Sequence, residues 1–121
     1  MTIQRAIHVI AVPDLASSAA FYRDVLGFSV EEMGDPGWRR FVNGACRIMA
    51  GECRDAMPVI DTGDHSYFLY LVVDDLAVLH ARVVASQVEV IKAPRDEPWG
   101  MREFGLRTGD GHRIMIGQAL P

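Results

Sequence analysis

Val12-Pro13-Asp14-Leu15 and Val73-Asp74-Asp75-Leu76 decide how this chain is read, because each follows an apolar, strand-like run and carries an acidic residue before a leucine. Outward from them, two further matches appear in the same order. Gly37-Trp38-Arg39-Arg40-Phe41 corresponds to Gly100-Met101-Arg102-Glu103-Phe104, and Arg47-Ile48-Met49-Ala50-Gly51 to Arg113-Ile114-Met115-Ile116-Gly117. The spacing between partners widens from 61 to 63 to 66 residues, as a few loop insertions in the second copy would produce. The chain is therefore read as an internal duplication.

The first copy opens with a strand over Ile3–Val12. Asp14 is placed to cap a helix on which Leu15, Ala19, Tyr22 and Leu26 recur at helical spacing, and Gly27 is placed to end it. Phe28–Glu32, Arg39–Val42 and Ala45–Ala50 follow as strands, the last two joined by a hairpin at Asn43-Gly44. The second copy repeats the order. Its strand is Tyr67–Val73, its helix is capped by Asp75 and carries Leu76, Leu79 and Val83, and no glycine marks the helix end near Ser86-Gln87. Val88–Ile91 is a strand, Pro94–Pro98 a loop, and Glu103–Arg107 and His112–Ile116 form a hairpin across Thr108–Gly111. The expected class is α+β, with two tandem βαβββ units forming a cupped mixed sheet. Unit one spans about 1–54, a linker about 55–64 and unit two about 65–121, together one domain. One helix cannot hide both faces of four strands, so the copies are expected to pack together.

Composition narrows the function. The chain has 121 residues, half of them apolar and 23% charged, with a net charge of −4. That is globular composition with no disorder signature. No run of like charges exceeds two residues, which argues against nucleic acid and against an anionic membrane surface. No stretch has the eighteen or so apolar residues of a spanning helix, and Met1-Thr2-Ile3-Gln4-Arg5 does not open a signal peptide, so a cytoplasmic location is expected. Cys46 and Cys53 match no zinc or redox spacing and are read as reduced, partly buried thiols. There is no glycine-rich phosphate loop, and no nucleophile with a neighbouring base.

His8-Val9-x-x-Val12-x-Asp14-Leu15 with Phe21-Tyr22-x-Asp24-x-Leu26-Gly27-Phe28 resembles the opening of the glyoxalase/bleomycin-resistance/dioxygenase superfamily, also called vicinal-oxygen-chelate proteins. Trp99-Gly100-Met101-Arg102-Glu103-Phe104, followed by Asp110-Gly111-His112, is similar to the end of its bleomycin-resistance-like branch. The resemblance covers nearly the whole chain. It implies a cleft for a small molecule and a homodimer, since resistance-type relatives pair to complete their clefts. Its catalytic members hold a divalent metal with His or Glu from the first and fourth strands of each unit.

The repeat places those four positions at His8, Leu69, Met49 and Met115. Leucine cannot ligate a metal, and a thioether is a soft, uncharged donor unsuited to a hard catalytic cation. No metal and no cofactor is expected. Glu52 and His65 are the conceivable substitutes. An odd offset from Met49 turns Glu52 to the other face, and His65 lies about 13 Å along the strand from Leu69. His8 is either an interior histidine or a ligand.

The face that the resemblance makes the cleft is expected to carry His8, Ile10, Arg47 and Met49 from one unit and Leu69, Leu71, Arg113 and Met115 from the other. Methionine adapts to ligands of varied shape. The arginines could bind an anionic group, or pair with a carboxylate such as Glu103. Trp99 could wall a flat ligand, or anchor its loop. The expected function is metal-independent sequestration of a partly hydrophobic or aromatic compound. The rivals are a metal-dependent lyase, isomerase or dioxygenase of the same superfamily that uses His8, and a partner-binding or regulatory module whose cleft is vestigial.

Overall fold

Each helix starts where an aspartate precedes a leucine. Asp14 Oδ1 accepts the Ser17 N–H at 3.1 Å and starts α1 (Leu15–Asp24). Asp75 Oδ1 accepts the Val78 N–H at 3.1 Å and starts α2 (Leu76–Ala85). A second acceptor reaches each helix start from far along the chain. Glu52 Oε2 takes the Leu15 N–H at 3.0 Å, and Gln118 Oε1 takes the Leu76 N–H at 2.9 Å. These side chains satisfy amide groups that a helix cannot satisfy itself. Glu52 is thus a helix-capping residue, not a stand-in for a metal ligand.

The helix ends differ in the expected place. Gly27 takes φ +76°, and the Phe28 N–H returns to the Tyr22 carbonyl at 2.9 Å. In α2 the missing glycine is replaced by Gln87 at φ +59°. Its N–H bonds the Val84 carbonyl at 3.0 Å and the Val88 N–H bonds the Val83 carbonyl at 3.2 Å, a Schellman ending made without glycine. The left-handed backbone costs a residue with a Cβ roughly 1 kcal/mol.

The chain is described by a computed structural model over residues 1–61 and 67–121, and it divides into two compact units, Met1–Ala56 and Met57–Pro121. His65 lies outside the described residues. The first unit holds β1 (His8–Val12), α1, β2 (Ser29–Glu32), β3 (Trp38–Asn43) and β4 (Cys46–Glu52). After a short 3₁₀ turn at Val59–Asp61, the second holds β5 (Tyr67–Val72), α2, β6 (Glu89–Asp96), β7 (Met101–Arg107) and β8 (Arg113–Ala119). The sheets have the orders β1-β4-β3-β2 and β5-β8-β7-β6. In each, the first pair is parallel and the other two antiparallel. This is the tandem βαβββ arrangement with mixed sheets.

Several details depart from the sequence reading. β1 begins at His8, not Ile3. Asn43 pairs with Cys46, so the hairpin loop is Gly44-Ala45, one residue later than expected. Only Gly44, at φ +55°, needs the left-handed region there. β6 runs through Pro94 to Asp96, where a loop was expected. It is an edge strand with register shifts after Val90 and after Lys92, and proline is tolerated in such a strand. Cys46 is half-buried, but Cys53 is exposed.

Cross-strand pairing assigns the faces. Tyr22 of α1 stacks on Phe41 with ring centroids 4.6 Å apart, Phe41 pairs with Ile48, and Ile48 pairs with His8. That row lies under the helix. In the second unit His80 of α2 meets Phe104 edge-on at 5.1 Å. Ile116 pairs with Phe104 on one side and Leu71 on the other, and one row along, Ile114 pairs with Leu106 and Leu69. Phe41, Ile48, Phe104, Leu106, Ile114 and Ile116 are fully buried, and these rows are the cores.

Glu52 and Gln118 make one test. Glu52→Ala should destabilise the fold by about 1 kcal/mol, the usual cost of losing a cap. Glu52→Gln, which copies the acceptor used by the second unit, should cost a few tenths. Chemical denaturation of the three chains measures both.

Candidate functional site

The rows that alternate with these cores form the helix-free face of each sheet, and the pairing puts only some of the expected site residues there. Met115 pairs with Tyr70, not with Leu69, and Met49 pairs with Val9, not with His8. His8 and Leu69 therefore belong to the helix-covered rows, and the four positions expected to share a cleft face do not. A one-residue difference in register moves a side chain to the opposite face, which is the reason for the discrepancy.

In the first unit Arg47 is half-buried, and its Nη1 donates to the Gly44 carbonyl at 3.0 Å, folding back on its own hairpin. Met49 is half-buried beside Arg40 and Val9. Two residues on, the Trp38 indole lies over Gly51, with ring atoms 2.8 Å from where a Cβ would stand. An aromatic ring is laid flat on this sheet.

The second unit has an open pocket on its helix-free side, of about 290 Å³, lined by Tyr67, Phe68, Leu69, Tyr70, Glu103 and Met115. This is the lower end of the range for small-molecule sites. Leu69 reaches it beside the β-bulge that interrupts β5 between Tyr67 and Leu69, although the residue is only 6% exposed. Lys92, Gly105, Met115 and Tyr70 form one cross-strand row, with Glu103 and Gly117 in the next. Arg113 is buried and pairs with Tyr67 and Arg107.

Glu103, only 3% exposed, organises the polar side of the pocket. It accepts hydrogen bonds from the Tyr70 hydroxyl at 2.6 Å, Trp99 Nε1 at 2.8 Å and Lys92 Nζ at 2.9 Å. Burial opposes its charge, but those donors outweigh burial and hold its pKa below the usual carboxylate range. Burial and the adjacent carboxylate push the Tyr70 phenol up to about 12, so it stays a neutral donor. Burial also works against the Lys92 charge, yet Glu103 and Glu97 overcome it and raise its pKa. Trp99 is 62% exposed; it is not a pocket wall but is tethered to the pocket carboxylate through its ring nitrogen.

Two strand glycines make the arrangement possible. A Cβ at Gly117 would strike the Tyr70 hydroxyl, and one at Gly105 would lie 2.8 Å from the Tyr67 hydroxyl. Tyr67, Phe68 and Tyr70 were missed as site residues, and Glu103 was considered only as an ion-pair partner. Glycine inside a strand, here at 105 and 117, is the sequence signal that would have pointed to a close approach.

Among the described residues no three His, Cys, Asp or Glu side chains gather as metal ligands would. The superfamily positions offer an imidazole, an isobutyl group and two thioethers, and His8 is on the opposite face from Met49. This donor set does not fit the divalent metal of the catalytic members.

His112 is a further buried ionisable group near the pocket. It is 7% exposed, its Nδ1 has no hydrogen-bond partner among the described residues, and its ring meets Phe68 edge-on at 5.2 Å. Burial lowers its pKa below 6.5, against a smaller opposing effect of Asp110. The unfolded chain then binds the extra proton first, so stability contributed by neutral His112 is present above about pH 6.5 and is lost as pH falls. His112→Gln should flatten the stability curve between about pH 7 and pH 5, read by denaturation at each pH. Gly117→Ala, whose φ is not left-handed, should destabilise by roughly 1–3 kcal/mol through the clash alone. Adding Tyr70→Ala should recover part of that loss, a coupling that a double-mutant cycle measures.

Comparison with known proteins places this geometry. No curated protein matches the chain. Among solved structures, the antibiotic-binding protein TnmS3 from Streptomyces sp. CB03234 is similar with a TM-score of 0.75 and 23% identity, covering 98% of each chain. TioX from Micromonospora sp. ML1 gives 0.74 and 19%, covering 96% of this chain and 100% of that one. A lactoylglutathione lyase from Agrobacterium tumefaciens gives 0.72 and 19%, covering 98% and 96%. At such identities the likeness is one of fold. The family model for the Glyoxalase/Bleomycin resistance protein/Dioxygenase superfamily matches residues 5–116, and the chain belongs to that superfamily.

Proposed function

We propose that this protein binds a small, partly flat and hydrophobic compound in the pocket of its second unit, without a metal and without making or breaking a bond. The observation that carries this reading is the wall of that pocket. Tyr67, Phe68, Tyr70 and Met115 supply apolar and aromatic surface, and one oriented carboxylate supplies the polar contact. Small-molecule sites are commonly built this way, with a few fixed polar groups in an apolar lining. Aromatic rings give a flat ligand a large contact area, and Met115 can adapt to its outline. Tyr70 and Glu103 hold each other in place, so part of the site is organised before a ligand arrives.

The metal-free part of the proposal rests on the donor set: among the described residues no cluster of three His, Cys, Asp or Glu side chains gathers, and the positions the repeat assigns to ligands hold Leu69, Met49 and Met115. The neighbour TnmS3 is an antibiotic-binding protein, which supports binding as the role. Of the residues expected from sequence, Met115 and Leu69 belong to the proposed site, and Trp99 acts on it by holding Glu103.

A thermal-shift screen of aromatic heterocycles tests the proposal. A compound at a hundred times its dissociation constant should stabilise by about 2.7 kcal/mol. Tyr70→Ala and Met115→Ala should each weaken that response, while a chelator leaves it unchanged. A divalent metal that copurifies in stoichiometric amount and is required for binding would defeat the reading.

A further inference from the structure

Among the described residues, the side chains that line the pocket carry a single formal charge, the carboxylate of Glu103. Two cations, Lys92 and Arg95, face two carboxylates in this network, but the one at Glu103 is divided between both. Lys92 Nζ stands 2.9 Å from Glu103 Oε1 and 3.2 Å from Glu97 Oε1, so one ammonium is shared between two carboxylates, each side chain 5% exposed. Glu97 has a second cation in Arg95 at 3.2 Å. The other donors to Glu103, the Tyr70 hydroxyl and the Trp99 ring N–H, are neutral, and both bind Oε2. A carboxylate oxygen has two acceptor positions, so Oε1 keeps capacity beyond its bond to Lys92.

The remaining walls suit positive charge as well. Tyr67 and Tyr70 line the same pocket, and the two residues are 36% and 43% exposed. The faces of such rings attract cations, most strongly where water is partly excluded. The chain's net charge of −4 adds a weak long-range attraction of the same sign.

We propose that the pocket selects planar organic cations, with a protonated or quaternised ring nitrogen directed at Glu103 and the ring laid against Tyr67 and Tyr70. The proposal rests on the binding role given above and adds the sign of the ligand's charge. An anionic ligand would meet Glu103 with no cation among the described lining residues. A neutral one would forgo the attraction.

Three probes of one shape separate the possibilities: N-methylquinolinium, quinoline and 2-naphthoate, titrated calorimetrically at neutral pH. The cation should bind roughly tenfold more tightly than quinoline, a difference of about 1.4 kcal/mol. Naphthoate should bind weakest. Glu103→Gln keeps the size of the side chain and an acceptor oxygen, and should erase the cation's advantage while quinoline still binds. An equal affinity for cation and neutral probe, a preference for naphthoate, or an advantage that survives Glu103→Gln overturns the assignment. If that variant does not fold, added KCl decides on the unmodified chain. A charge-based advantage shrinks as salt rises, and one that stays constant overturns the assignment. Binding without cation preference removes this inference alone, whereas no binding by any of the three removes the pocket reading with it.

Discussion

The pairing of β5 with β8 is the constraint on which the second unit's chemistry depends. Because Tyr70 lies opposite Met115 and Leu69 opposite Ile114, the leucines enter the helix-covered core and the tyrosines stand on the other side. Strands alternate strictly, so no side chain can be moved without moving its neighbours. The bulge between Tyr67 and Leu69 is the local exception in this pair of strands. It puts an extra residue into β5, and Phe68 and Leu69 reach the pocket together with the two tyrosines. Glu103, one row from Met115, then finds the Tyr70 hydroxyl, the Trp99 ring nitrogen and Lys92 within bonding distance.

The two copies use the same backbone plan to different ends. Gly51 and Gly117 occupy equivalent places in β4 and β8, and each admits an aromatic side chain against the sheet. In the first unit the ring is Trp38 of β3, from the strand beside β4. In the second it is Tyr70 of β5, from the opposite neighbour, and its hydroxyl ends on a carboxylate. Arg40, at the place of Glu103 in the repeat, pairs instead with Glu31 at 3.2 Å near the surface. Arginine in one copy belongs to a solvated ion pair, and glutamate in the other, met by Tyr70 where the first copy has Val9, is a buried acceptor.

Much of the fold was legible because its signals are local. Aspartate before leucine, Gly27 after a helical period and matching blocks in fixed order each specify a short piece of backbone, and the pieces agree with one another. The helix end at Gln87 was not legible, since nothing in a glutamine announces a left-handed backbone. The strand through Pro94 was hidden for a related reason: proline argues against a strand unless the strand is known to be at an edge. The site was less legible than the fold. Counting back from Asp14 and Asp75 located His8 and Leu69 within the repeat, but the face they share depends on how β1 lies against β4, which the repeat does not encode. Met115 was reached because the duplicated Arg-Ile-Met block marks it directly.

The ties from Glu52 to Leu15 and from Gln118 to Leu76 span 37 and 42 residues, nearly the length of a unit. The first amide of each helix therefore gains this partner only after the last strand has arrived. A helix formed early would begin frayed, and docking of the final strand would complete its first turn. Loop closure over such a distance is the slow part of assembling a small domain. Each unit is in this sense closed by its own tail, which couples the ordering of its beginning to the completion of its end.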